Sequence, residues 1–229
     1  MSKKIALSWS GGKDGCMVLD LLVKKGYEVA CLVTTVPVEI GRTFGHGEKT
    51  ELIKLQGEAL SIPVHFIECT FKGYTDSFVE ALKEIKANHG ISGIAFGDLY
   101  MDAHRDWGEK TAESAGVEAI YPLWMKEEEA PEALEAFVNS GYKAIVIRVR
   151  QDTLDQSWLG RQVDESFLKD ILRENVCPMG EAGEYHTFVF DGPLFKQKIQ
   201  VCKGKIIEHE HSYRLELENG ELIRKAEVL

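Results

Sequence analysis

Through roughly its first half the chain repeats one unit: a short apolar run, a glycine-containing turn, then an amphipathic stretch. Residues 4–8, 28–35, 64–69 and 91–96 read as strands, rich in Val, Ile and Cys. Helices are expected after Lys13, closed by Gly26, and over residues 48–61, 76–88 and 102–115, the last stopped by Gly116. Strands alternating with helices of this length pack as a parallel sheet covered on both faces, with right-handed crossovers. Ligands of such sheets bind beyond the carboxyl ends of the strands. Three polar, glycine-containing loops fall there, at residues 10–15, 44–47 and 97–102. Their convergence is the first functional expectation.

Past Trp124 the texture changes. Lys126-Glu127-Glu128-Glu129 reads as the solvated start of a helix running to Asn139. A strand over 143–149 and a helix over 165–174 follow. From Thr187 the period shortens to two, giving strands over 188–190, 198–201 and 213–217. Asn219-Gly220 reads as a hairpin turn into a last strand over 221–228. A boundary near Pro122 therefore separates two parts. Residues 1–122 form an α/β doubly wound parallel sheet, and residues 123–229 a smaller α+β domain.

Charge limits the partners. Asp and Glu number 37 against 27 Lys and Arg, a formal charge of -10. Nonspecific nucleic-acid binding needs a basic footprint, so the balance argues against it, while leaving room for a local basic patch. The longest uncharged apolar stretch, residues 29–38, is far shorter than the roughly 18 residues of a membrane helix. The five cysteines are scattered and form no C-x-x-C, which argues against a disulfide framework or a zinc site. The N-terminus lacks a signal peptide's apolar length. A soluble, cytoplasmic protein is expected, with a homo-oligomer left open.

Ser10-Gly11-Gly12-Lys13-Asp14-Gly15 joins the first strand to the first helix. Consecutive glycines let backbone N–H groups approach a phosphate, and the helix N-terminus adds positive potential. Lys13 offers a mobile charge and Ser10 a hydroxyl. A plain tight turn with Asp14 as helix cap is the alternative, and spacing alone leaves both open. The loop is neither a Walker A nor a G-x-G-x-x-G fingerprint.

That string resembles the PP-loop of ATP pyrophosphatases, S-G-G-x-D-S, with Gly15 in place of the final Ser. A second string, Gly180-Glu181-Ala182-Gly183-Glu184-Tyr185-His186-Thr187, resembles the G-E-x-G-E-[FY]-H-[ST] signature of diphthine–ammonia ligases. Gly97-Asp98 followed by Arg105 and Glu109, and Trp158-Leu159-Gly160-Arg161, are similar to the same family. His104 departs from it, where a glutamine is expected before the arginine. The resemblance implies an adenine nucleotide alpha-hydrolase-like fold, with ATP and Mg²⁺ as cofactors. It also implies amidation of diphthine on translation elongation factor 2, with ammonium as nitrogen donor and AMP and pyrophosphate released.

The resemblance carries roles with it. Ser10, Gly11, Gly12, Lys13, Asp14 and Gly15 would bind the phosphates, Lys13 compensating leaving-group charge. Asp98, after Gly97, would face them as a Mg²⁺ ligand, or else cap the next helix. Thr34 sits where such folds read adenine through backbone groups. His46, between two glycines, is expected to be mobile and solvent-facing, within reach of the α-phosphate. Glu184 and His186 are expected on one face of an extended segment, holding ammonium and taking its proton, with Gly183 allowing close approach. A structural loop is the alternative for that segment. His209 and His211 read as a solvated hairpin. Competing functions are a PP-loop tRNA-modifying enzyme and a non-catalytic adenine-nucleotide sensor.

Overall fold

The computed structural model describes residues 3–225. Five strands, β1 (Lys4–Ser8), β2 (Glu28–Pro37), β3 (Val64–Cys69), β4 (Gly93–Ala95) and β5 (Glu118–Ile120), form a sheet in the order β3-β2-β1-β4-β5. All four pairings are parallel. Helices α1 (Lys13–Lys24), α2 (Thr50–Leu60), α3 (Tyr74–His89) and α4 (Asp102–Ala115) are the crossovers. The period of two in β1 explains the two-sided cover. Ile5 and Leu7 pack with Leu19 and Leu22 of α1 and Ile53 of α2, whereas Ala6 packs with Phe78, Leu82 and Ala112 of α3 and α4.

The second part holds α5 (Ala130–Asn139), β6 (Lys143–Arg150), α6 (Glu165–Ile171), β7 (Tyr185–Asp191), β8 (Gln197–His209) and β9 (Ser212–Arg224). Its antiparallel sheet runs β7-β6-β9-β8. One apolar cluster reaches from Ile5 through Leu134 and Phe188 to Leu217, so the α1–α2 face of the first sheet is covered partly by the second unit. Among the described residues no helix is long and apolar enough to cross a membrane.

Two sequence readings give way. Strand β5, only three residues long and begun by an exposed glutamate, carries too little pattern to be foreseen. Asn219-Gly220 is not a turn: β9 runs straight through it, and Gly220 pairs with Val201. A Cβ at Gly220 would lie 2.8 Å from Leu52 Cδ2 and 2.9 Å from Leu55 Cδ1, so the glycine admits helix α2 against the strand. The hairpin turns at Glu210 and His211, as expected for the solvated segment around His209 and His211, with His209 ending β8 and His211 in the turn. The final part of the expected last strand, residues 226–228, lies outside the described residues.

Candidate active site

The carboxyl ends of β1, β2 and β4 open onto one cavity, and all three expected loops reach it. Ser10, Asp14 and Gly15 come from the first, Phe44 and His46 from the second, Gly97 and Asp98 from the third. Thr34 lines it from β2, its hydroxyl committed to the Trp9 carbonyl at 2.7 Å. Gly180, Glu181 and His186 close it from the second unit.

The glycine loop is held from outside itself. Gln56, fully buried in α2, donates to Gly11 O at 2.9 Å and Val189 O at 2.7 Å, and accepts from Trp9 Nε1 at 2.9 Å. Val189 N–H donates to Gly11 O, and Lys13 N–H donates to Thr187 Oγ1 at 3.0 Å. Strand β7 thus fixes the loop that begins α1. Gly12 is the N-cap, so the amides of Asp14 and Gly15 in the first turn have no intrahelical acceptor, and both residues line the cavity. Gly11 sits at φ +83° and Gly12 lies under His46, whose Nε2 a Cβ there would meet at 2.7 Å. At Gly15 a Cβ would lie 3.2 Å from the Trp9 ring, so the residue replacing the pattern's serine is matched by a bulky neighbour.

Lys13 is not the mobile charge its position suggests. Its side chain is 2% exposed. The ammonium donates to Met179 O and to Asp14 Oδ2, and lies 4.8 Å from the Tyr185 ring centroid. It does not line the cavity. Asp14 caps nothing, being a first-turn residue, and its Oδ1 is buried without a hydrogen-bond partner. Asp98 is no cap either, since Met101 holds that place in α4.

The acidic side of the cavity gathers Asp98, His104 and Glu181, whose ligand atoms all lie within 4.8 Å of one another. His104 Nδ1 is 3.0 Å from Asp98 Oδ1, and Glu181 Oε1 accepts the Leu99 N–H at 2.9 Å. Burial, aided by the neighbouring Asp14, raises the pKa of Asp98. Burial also lifts Glu181 to about 7, with Asp14 and Asp98 adding to the rise. Two carboxylates and an imidazole drawn together in this way, beside Asp14 with its orphaned buried oxygen, form a donor set fitting a divalent cation.

His46 is half-buried, not mobile in solvent: its ring packs 4.5 Å from that of His186. Burial lowers the pKa of both imidazoles, followed for His46 by His186, Lys13 and Arg148 and for His186 by Arg148 and Lys13, leaving His46 well below its ordinary value and His186 at about 3. Glu184 does not share their face. It is buried ahead of β7, its Oε1 accepting the Cys177 N–H at 3.2 Å, and it lines neither this cavity nor its neighbour. Gly183 lies in the neighbouring cavity, with His186. Glu181, three positions before Glu184 in the same string, is the residue that sequence reasoning passed over.

A half-buried imidazole held neutral has a stability signature. The unfolded histidine takes a proton below about pH 6.5, whereas folded His186 waits until about 3, so it subtracts stability as pH falls through that window. His186→Asn is therefore expected to gain stability relative to the wild type as pH falls from 7 to 5. Urea midpoints at both values check this, and a constant gap would mean the ring protonates normally.

Known sequences match both units. The diphthamide synthase N-terminal domain profile covers residues 2–119 and the diphthamide synthase C-terminal domain profile covers 129–223. A Bos taurus diphthine–ammonia ligase is 28% identical over 237 residues, covering 90% of this chain and 85% of its own. The Homo sapiens ligase is 27% identical with the same coverage. That of Schizosaccharomyces pombe is 28% identical over 87% of this chain, which spans 36% of that longer protein. With both profiles matched in order, and with the glycine loop of the first unit closed by the signature string of the second, the chain belongs to the diphthamide synthase family.

Proposed function

We propose that this protein is an ATP-dependent, AMP-forming amide ligase that converts diphthine on translation elongation factor 2 to diphthamide, with ammonium as nitrogen donor. One observation carries the reading: the phosphate-type loop, a carboxylate cluster and the second unit's signature segment converge on one cavity. The names of the relatives supply the substrate. The division of labour between residues 1–122 and 123–229 is part of the proposal.

A carboxylate does not condense with ammonia at neutral pH, because its oxygen is a poor leaving group. Attack of a carboxylate oxygen on the α-phosphorus of ATP expels pyrophosphate and leaves an acyl-adenylate. Ammonia nitrogen then attacks the acyl carbon, the C–O bond to AMP breaks, and one proton is released. The chain's own task is positioning and charge. The amides of Asp14 and Gly15 would bind phosphate oxygens, with Ser10 beside them. Asp98, His104 and Glu181, next to Asp14, would hold Mg²⁺, which supplies countercharge to the triphosphate. Neutral His46 and His186 can orient the α-phosphate and the nucleophile as hydrogen-bonding groups. With a pKa of about 3, His186 is too weak a base to take a proton from ammonium in the free enzyme. Ammonia would enter already deprotonated, or the bound triphosphate would first raise that pKa.

The test is AMP and pyrophosphate release from ATP, Mg²⁺ and ammonium, with and without a factor bearing diphthine. Factor-dependent AMP, with amide formed on the factor, is expected. AMP without that dependence would turn the reading toward another PP-loop substrate, such as tRNA. Bound ATP with no AMP would leave a nucleotide sensor.

A further inference from the structure

A second cavity, about 710 Å³, adjoins the first and shares Phe44 and His186 with it. In a chain of net charge -10, it is lined by Arg42, Arg148, Arg150 and Arg214. Three of these have carboxylate partners. Arg42 and Arg214 reach Glu216 at 2.8 and 3.3 Å, and Arg150 reaches Asp152 at 2.7 Å. Lys49 uses the same Glu216 at 3.1 Å, so one carboxylate serves three cations. Arg148 has no ion pair among the described residues. Its Nη1 donates to Gly45 O at 2.6 Å and its Nε to Ser212 Oγ at 3.1 Å. Arg214 Nε is buried with no hydrogen-bond partner. A half-buried guanidinium without a counter-ion beside another with an unused donor is a place prepared for an anion.

Two phenylalanines, Phe44 and Phe71, line the same cavity, and Tyr74 of the first cavity adjoins them. Phe44 and Phe71 are 49% and 50% exposed, with ring centroids 6.3 Å apart, and Tyr74 lies 5.1 Å from Phe44. Exposed aromatic faces favour alkyl groups and soft cations such as quaternary ammonium. The volume exceeds that of a bare ion and suits a side-chain arm with an anionic end and an apolar or cationic flank.

We propose that this cavity receives the carboxylate arm of the protein substrate: Arg148 takes the carboxylate, and Phe44 and Phe71 take the trimethylammonium that diphthine carries beside it. The assignment rests on the ligase reading for its ligand and deepens it. Neutralised by Arg148, the carboxylate can approach the triphosphate across the boundary at His186 with less repulsion. Because Arg148 also holds Gly45 O beside His46, its loss can disturb the nucleotide cavity, and the test must separate the two effects.

The probe is γ-butyrobetaine, a trimethylammonium carboxylate, observed by saturation-transfer NMR on the full chain, with butyrate as the anion-only control. Transfer to the trimethyl protons is expected in the wild type, lost in Arg148→Gln and partly kept in Arg148→Lys. Phe71→Ala, at a residue that does not itself line the nucleotide cavity, is expected to lose the preference for betaine over butyrate. In turnover, Arg148→Gln should raise KM for the factor about tenfold, well beyond any change in KM for ATP. Absence of transfer in an enzyme that amidates the factor, or transfer indifferent to both substitutions, overturns the cavity assignment and leaves the ligase reading standing. Betaine transfer with the expected variant pattern, in a protein that does not amidate the factor, upholds a trimethylammonium-carboxylate site at Arg148 and overturns the ligase reading together with diphthine as its ligand.

Discussion

Lys13→Met is expected to lower the melting temperature by about 6–12 °C as well as AMP formation, because the ammonium ties the glycine loop to the second unit. It donates to Met179 O and Asp14 and lies against Tyr185. Removing it leaves a buried carbonyl unpartnered and the Asp14 carboxylate without its countercharge, a loss of about 3 kcal/mol. A phosphate-contacting lysine exposed in the cavity would behave otherwise: its loss would abolish turnover and leave the melting curve in place. Differential scanning calorimetry of the nucleotide-free protein separates the two. An unchanged melting temperature would show that the tether contributes nothing and return Lys13 to the phosphates.

The same residue marks the limit of what the sequence discloses. A lysine in a strand–glycine–helix loop points to phosphate by local chemistry, but its direction is set by residues about 170 positions away. Met179 and Thr187 take its ammonium and its amide. What local pattern governs was legible: strands alternating with helices, a parallel sheet covered on both faces, and three loops converging. Strand period and connection length depend on neighbours in the chain, so they show in any single sequence. Glu184 and Glu181 illustrate the opposite case. Both belong to one recognisable string, and only the fold around Gly180 and Gly183, both at positive φ, decides which carboxylate enters the cavity. Arg42, Arg148, Arg150 and Arg214 likewise assemble from β6, β9 and the loop after β2, hidden in an acidic composition. Asn219-Gly220 misled for a related reason: glycine admits a tight turn and a close-packed helix equally well, and the sequence names the residue without its neighbour.

Glu181→Gln and Asp98→Asn are expected to reduce AMP formation roughly a hundredfold or more, the scale of losing a preorganised charge at a phosphoryl centre. Folding should be preserved. Each amide keeps nearly the carboxylate's volume, and Glu181→Gln can still accept the Leu99 N–H through its remaining carbonyl oxygen. Glu181 should also report cation binding directly. With its pKa raised to about 7 by burial, Asp14 and Asp98, it is protonated in part at pH 7, so a divalent cation arriving there must displace a fraction of a proton. Calorimetric titration of Mg²⁺ or Mn²⁺ in buffers of different ionisation enthalpy should therefore show proton release in the wild type and much less in Glu181→Gln. The pH sign agrees with the same picture. A raised carboxyl pKa stabilises the metal-free fold below the unfolded value of about 4.5, and that stabilisation is lost as pH rises through about 7. Glu181→Gln should remove the loss, gaining stability relative to the wild type between pH 5 and 8 when no cation is present. Glu184→Gln provides the contrast, since its Oε1 braces Cys177 N–H within the loop and lines neither cavity. Its effect should fall on the melting temperature, with cation-linked proton release intact. Proton release unchanged in Glu181→Gln, or lost in Glu184→Gln, would move the cation away from Glu181.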